Sequence, residues 1–455
     1  MKTRRTASKT FSPKLHPLPL AISRCLRSGT ARWTLSAGLA ATLVAASPVQ
    51  AATFTVTNTN DAGAGSLRAA IAAANANPGP DIVSFGSQAT GVIALESGSL
   101  NVTEQVEILG PGPEVLRIDG GNRWPILVAE GDGLTVAGLK LTNAGGDGIN
   151  AQLTDSGEGE DDFLVEVRNS VIEGSTGSGV TLRSYGNYTG NLFPTANFVV
   201  DNVVVEGNGG HAISLRSDTL GWYDDFSAEI RSSVLSGNLD SGVEVIGGYG
   251  SGWVDIDNSQ IVDNASGIEV HGGDVSVRNS TISGNSGNGF SGYYGDFSVE
   301  DSVIADNSGH GALAETIECA RSLVMGNAKW GLYGEPDWDE YGAVNVSVDS
   351  CTISGNVAGG VFITRYTTFS GYLALRNSTV SDNESTGVHA SGSRIVASIE
   401  SSTITGNART SGTGGVQVSY FYDGDVAVLN SIIANNGRNL PDLVGSAPFL
   451  SLIHI

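Results

Sequence analysis

One phrase, N-S-x-I-x-x-N followed a few residues later by G-V or G-I, returns about a dozen times between Asn143 and Asn436. It reads NSTISGNSGNGF from Asn279, NSTVSDNESTGV from Asn377 and SCTISGNVAGGV from Ser350. Self-similarity on this scale marks a stacked architecture, in which each unit buries its apolar face only against copies of itself. The closing Asn of each phrase is a convenient marker. The series runs Asn143, Ser175, Asn208, Asn238, Asn264, Asn285, Asn307, Asn327, Asn356, Asn383, Asn407 and Asn436, at spacings from 20 to 33 residues.

Spacings near 21 fit one bare turn of a three-sided coil, with about seven residues to a side. Between Asp263 and Asn285 stand three short alternating runs: G-I-E-V, V-S-V and T-I-S. Alternation puts every second side chain inward, and helical periodicity is missing. Each strand would pair in parallel with its own copy one turn on. Ile261, Ile282, Ile304, Val324, Ile353, Val380, Ile404 and Ile433 share one phase and should form an interior column. The marker Asn residues should form a buried amide ladder and supply left-handed bends. Glycines such as Gly289, Gly311 and Gly331 should allow tight corners.

A second column lies seven residues before the markers: Arg168, Asp201, Arg231, Asp257, Arg278, Glu300, Ala320, Asp349, Arg376, Glu400 and Leu429. Its sign alternates turn by turn, and Arg321 supplies the cation missing at Ala320. Opposite charges stacked across neighbouring strands attract, so an exposed ion-pair ladder is expected.

Residues 1–51 are a different kind of sequence. They carry eight basic residues and no acidic one, then an apolar run from Trp33 to Ser47 with small residues after it. This is the pattern of a signal peptide cleaved near Ala51 or Ala52, and it predicts a secreted or cell-surface protein. The run is too short and Ala-rich to span a bilayer, so the mature chain should have no transmembrane segment. Without these residues 24 − 8 = 16 basic residues face 47 acidic ones, a net charge of −31. Such a surface repels nucleic acid. Cys25 leaves with the leader. Cys319 and Cys351 occupy different phases of the repeat, so no bridge between them is expected.

Residues 52–85 should close the coil's N-terminal end. T-F-T-V-T-N-T-N-D reads as a strand, and Ser66 can cap a helix from Leu67 to about Ala76, ended by Pro78. This stretch, with A-G-S-L-R-A-A at its centre, resembles the N-terminal module of secreted bacterial right-handed parallel β-helix proteins, the pectate-lyase-like superfamily. Some members carry a CSLREA-type start, and here the cysteine is absent. V-E-I-L-G-P-G-P at Val106 and G-L-T-V-A-G-L-K-L-T-N-A-G at Gly133 are similar to first coils of that group. The expected fold is therefore all-β: a right-handed three-sided parallel β-helix over residues 86–445, with a short N-terminal capping helix. Residues 446–455 leave the pattern and read as a truncated or non-native tail. A monomer is expected.

The longer spacings arise at one phase, between the G-V-x-V strand and the next V-x-V strand. Insertions that share a phase emerge along one edge. Most of the Trp and Tyr of the mature chain lie in them beside acidic residues: Tyr185, Trp222, Tyr223, Asp224, Asp225, Tyr293, Tyr294, Trp338, Asp339, Tyr366 and Tyr422. Flat rings stack on pyranose faces while carboxylates bond hydroxyls or hold Ca²⁺. These residues are the candidate site for a polysaccharide or cell-surface ligand. No cofactor is firmly implied. Asp224, Asp225, Asp337, Asp339 and Glu340 could hold Ca²⁺, with Arg216 and Arg365 in neighbouring loops. The resemblance also admits a polysaccharide lyase, which needs a cation and a base, or a hydrolase, which needs two opposed carboxylates. A structural passenger rod is the third reading. No catalytic residue or metal ligand can be named from the sequence. His211, His271, His310 and His389 have no metal spacing and read as surface or bend residues.

Overall fold

In the computed structural model the described residues are 51–452, except 131–132, 155–162, 186–195, 218–225, 248–251, 336–342, 366–369, 393, 411, 420–423, 438–440 and 446–448. The signal-like segment lies outside them. They form a right-handed three-sided parallel β-helix whose sheets hold 16, 14 and 14 strands among the described residues. Sheet 1 begins with Thr53–Val56, sheet 2 with Gly91–Ala94 and sheet 3 with Leu100–Val102. From Asp81–Phe85 onward the chain visits the sheets in that order on every turn, and the strands pair in parallel with their copies in adjacent turns.

The interior follows the expected columns. Ile261 stands opposite Ile282, Ile282 opposite Ile304, and Ile304 opposite Val324, all with no exposed surface. Isolated short strands could not stay ordered. Stacking buries both neighbours of each strand and pairs its backbone on both sides, which offsets the entropy of ordering it.

The amide ladder is continuous. From Asn208 to Asn407, each marker side chain donates through Nδ2 to the next marker's Oδ1, at 2.8–3.4 Å. The same Oδ1 accepts the backbone N–H of the previous marker, as Asn307 Oδ1 does from Asn285 N at 3.1 Å. Asn143, the first marker, is left-handed as expected (φ 54°), but at the buried markers the left-handed residue is the predecessor: Gly207 (φ 61°), Asp306 (φ 54°) and Gly326 (φ 66°). The marker needs ordinary geometry to aim its amide along the stack. Gly289 is likewise not left-handed. It is small because a Cβ there would come within 2.6 Å of Gly311 O and 2.8 Å of Asn307 Nδ2.

A second ladder runs at the corner between sheets 1 and 2. Ser233 N donates to Ser259 Oγ, Ser259 N to Ser280 Oγ, and the series continues through Ser302 and Ser322. Cys351 replaces serine at this position and accepts from Ser322 N at 3.4 Å. It is bonded to Cys319, whose Cα lies 6.7 Å away. The expectation of no bridge is thus overturned. Cys319 lies next to last in the sheet 1 strand Thr316–Ala320 while Cys351 sits at the next turn's corner, and both are buried. Residues of different phase meet diagonally across a corner, which spacing alone does not reveal.

The charge column has the expected register: Arg168 opposite Asp201, Asp201 opposite Arg231, Arg278 opposite Glu300, Arg376 opposite Glu400. Arg278–Glu300 (3.6 Å) and Arg376–Glu400 (3.7 Å) are paired, and Arg321 engages Glu300 and Asp301. Arg168 and Arg231 instead pair with Glu166 and Glu229 two residues back on their own strands. Exposed pairs contribute only about 0–1 kcal/mol each, so the alternatives compete freely.

The N-terminal helix spans Leu67–Ala74, with Ser66 Oγ accepting from Ala69 N at 3.2 Å. Leu67, Ala70, Ile71 and Ala74 join the core. The helix stops before Pro78 because Asn75 turns to the coil beside it, bonding Thr103 N and Asn101 O. At the other end Phe449–Leu452 pair with Val426–Leu429 on sheet 1. These four residues therefore continue the repeat that the sequence pattern had them leaving.

Candidate functional site

Alternation leaves every second residue of a sheet 3 strand facing outward. Register fixes one outward column: Thr181, Ser214, Glu244, Glu269, Ser291, Leu313, Tyr333, Phe362, His389 and Gln417. It is polar and charged in the early coils and aromatic in the later ones. The insertions at 155–162, 186–195, 218–225, 336–342, 366–369 and 420–423 all fall between a sheet 3 strand and the following sheet 1 strand. They therefore join the chain along one border of this face.

The polar part centres on Glu244. Its Oε2 accepts from Ser214 Oγ (2.7 Å), Arg216 Nε (3.1 Å) and Arg216 Nη2 (2.7 Å). His211 Nε2 lies 3.3 Å from Glu244 Oε1 and 3.4 Å from Asp240 Oδ2. Burial works to raise the Glu244 carboxyl, but the bonds and charges from His211, Ser214 and Arg216 outweigh it and hold it at about 2. Burial likewise opposes charge on His211, yet Glu244 and Asp240 raise its imidazole above the ordinary range. Its Nδ1 accepts from Ser241 N at 3.2 Å. That N–H also reaches Asp240 Oδ1 at 3.1 Å. The arrangement is a fixed array of donors and acceptors on a rigid sheet.

The aromatic part is a ladder of rings. Centroids lie 4.8 Å apart for His310–Tyr333, 4.9 Å for Tyr333–Phe362 and 4.7 Å for Phe362–His389. Trp330 stacks on Phe362 at 5.0 Å. Its indole lies over the next coil's Gly359 (φ 145°), where a Cβ would collide with the ring. Farther down, His271 and Tyr293 stack at 5.6 Å. Burial, and next the charge of Lys329, pushes the His310 imidazole down to about 4; burial does the same to His389. Both are neutral at pH 7, and His389 Nε2 shares a 2.8 Å hydrogen bond with Ser419 Oγ.

These two histidines give a pH prediction. In the unfolded chain they take up protons near pH 6.5, but in the fold only near 4. The unfolded state therefore binds more protons between those values, and stability should fall as pH drops through that window. His389 is half-buried, so the combined loss is discounted to about 2–4 kcal/mol. His211 acts oppositely: its stabilisation is present in acid and lost as pH rises through its raised pKa. Thermal midpoints between pH 4 and 7 check this, and His310→Gln should flatten the slope. An unchanged slope would refute it.

Of the residues singled out from sequence, Tyr293 and Tyr294 are described in full. Tyr293 is half-buried against His271, and Tyr294 holds a left-handed bend (φ 59°) beside it. Tyr185 ends the sheet 3 strand Val180–Tyr185, with only its backbone described. Trp222, Tyr223, Asp224, Asp225, Trp338, Asp339, Tyr366 and Tyr422 lie outside the described residues, as do Asp337 and Glu340. No group of three His, Cys, Asp or Glu among the described residues could hold a metal ion. Arg216 and Arg365 are not loop residues: Arg216 lies within Ile213–Ser217, and Arg365 ends Gly359–Arg365 with no exposed surface. His211 and His310 do sit at bends, but at 9% and 8% exposure they are not surface residues. The ladder rings on the strands, Trp330, Tyr333 and Phe362, unlike those in the insertions, are not among the residues singled out from sequence. The signal was the outward position of each G-V-x-V strand, read down the repeat.

A family model described as "Right handed beta helix region" matches residues 191–333. No curated protein matches the sequence. Among solved structures, the A-module of mannuronan C-5 epimerase AlgE6 from Azotobacter vinelandii is 14% identical, with 87% of this chain and 100% of that chain covered and a TM-score of 0.36. PfbA, a surface adhesin of Streptococcus pneumoniae, is 11% identical over 87% and 93% of the two chains, with a TM-score of 0.34. Pectate lyase Pel9A is 14% identical over 76% and 78%, with a TM-score of 0.31. No helix among the described residues is long and apolar enough to cross a membrane.

Proposed function

We propose that this right-handed β-helix is a secreted or cell-surface protein that binds an extended carbohydrate along the outer face of sheet 3, without turning it over. The observation that carries the reading is the ring ladder Trp330, Tyr333, Phe362 and His389, placed coil on coil, with the hydrogen-bonding array around Glu244 four coils earlier on the same face. A polysaccharide offers the matching alternation of apolar ring faces and hydroxyls. The inner rings share faces with one another, so the ladder serves as an apolar floor rather than as separate stacking platforms. The Cys319–Cys351 bridge supports an exported setting, where disulfides persist.

Catalysis is less well supported. Hydrolysis needs carboxylates flanking the scissile bond, whereas Glu244 and Glu269 stand side by side on one face. Glu244 is also committed to Ser214, Arg216 and His211.

Calorimetric titration with neutral, aminated and uronate oligosaccharides tests the reading. At least one should bind, and the double variant Trp330→Ala, Phe362→Ala should weaken it by about 30- to 100-fold with an unchanged circular dichroism spectrum. Absence of binding to every glycan would sink the proposal. Unsaturated or reducing-end products would overturn its non-catalytic part.

A further inference from the structure

We infer that the glycan on the sheet 3 face is one bearing protonated amino groups, such as a glucosamine polymer, rather than a uronate polymer. The inference rests on the carbohydrate reading above and names the ligand class for that surface. An anionic polymer needs cations free to meet its carboxylates. Two cations stand in the polar array: Arg216 is tied to Glu244 at 2.7 Å, and Arg183, opposite it one coil back, is engaged as well. Arg365 is wholly buried.

The carboxylates are placed the other way. Glu269 is half-buried in the outward column, one coil from Glu244 and three coils, about 14 Å, from Tyr333. Its carboxylate has no hydrogen-bond or ion-pair partner among the described residues. Glu335 is exposed immediately after the strand that carries Trp330 and Tyr333, and its carboxylate is equally free. Glu269 lies three coils before Tyr333, and Glu335 lies beside the coil that carries Trp330 and Tyr333. Lys329, exposed beside Trp330, and Arg394, exposed just past the strand that carries His389 and already engaged, are opposing charges on this part of the face. The ladder itself adds none at neutral pH, because His310 and His389 are buried and neutral there. The whole chain reinforces the local sign, with 47 acidic against 24 basic residues. An ammonium group at intervals along a sugar chain would meet Glu269 and Glu335 while the ring skeleton lies on Tyr333 and Phe362.

The test compares a fully deacetylated glucosamine hexamer, its N-acetylated counterpart and a galacturonate hexamer by calorimetry at pH 6 and low salt. The deacetylated hexamer should bind at least tenfold tighter than the acetylated one, and a rise from about 20 to 500 mM salt should erase most of that preference. The double variant Glu269→Gln, Glu335→Gln should lose the preference. Equal affinity for the acetylated form, or tighter binding of the galacturonate, would overturn the inference while leaving the carbohydrate reading intact. Failure of all three to bind would overturn both.

Discussion

Asn307→Ala should destabilise the coil by about 3–5 kcal/mol, although it removes only one small side chain. Asn307 is 1% exposed. Its Oδ1 accepts from both Asn285 N (3.1 Å) and Asn285 Nδ2 (2.8 Å), and its Nδ2 donates to Asn327 Oδ1 (3.0 Å) and Ile282 O (3.3 Å). Alanine would leave two buried donors without acceptors, each costing about 1–3 kcal/mol, and would weaken the satisfaction of Ile282 O. Water cannot substitute in a packed column. The loss should appear as a lower urea midpoint and as faster amide exchange at Asn285. Thr281→Ala, a half-buried outward position one coil away, should change stability by less than about 0.5 kcal/mol. Equal effects of the two substitutions would show that the amide ladder is not what holds this corner.

Deleting residues 286–307 should leave a folded, cooperatively unfolding protein, whereas deleting residues 286–296 should abolish the transition. The first deletion removes one whole turn of 22 residues. It joins Asn285 to Ser308, the equivalent of the Ser286 it loses, so Asn285 can bond Asn327 directly and Ile282 can meet Val324. Stability in a solenoid is close to a sum over units and their interfaces, so the loss should stay within about 2–3 kcal/mol. Glu300 is lost as well, leaving Arg278 near Arg321, at a further cost of about 0–1 kcal/mol. The second deletion takes Asp296 and brings the rest of that sheet 1 strand, Phe297–Glu300, to where sheet 3 should begin. Every later strand is then displaced by one side of the coil, and its inward residues face water. Thermal unfolding followed by circular dichroism separates the two outcomes. Loss of folding in both would mean that the turns are not interchangeable units.

What could be read from the sequence is what repeats in phase. The column from Ile261 to Ile304, the amides from Asn208 to Asn436 and the alternation from Arg168 to Glu400 each place a residue against its own copy one turn away. For such pairs sequence spacing is already spatial register, since a parallel stack carries each position onto its equivalent. The helix start was legible too, because Ser66 bonds only three residues ahead.

The rest was decided by geometry between positions of different phase. Cys319 reaches Cys351 diagonally across a corner. His211 meets Glu244 from the bend of the preceding coil, and Asn75 ends its helix by bonding residues 26 and 28 positions away. The rings of Trp330, Tyr333, Phe362 and His389 were visible as letters, yet their gathering into one strip depends on which side of each strand faces out. Periodicity fixes which residues stack. The turn and twist at each corner fix which unlike residues touch, and those angles are set by packing of the whole coil rather than by any local run of sequence.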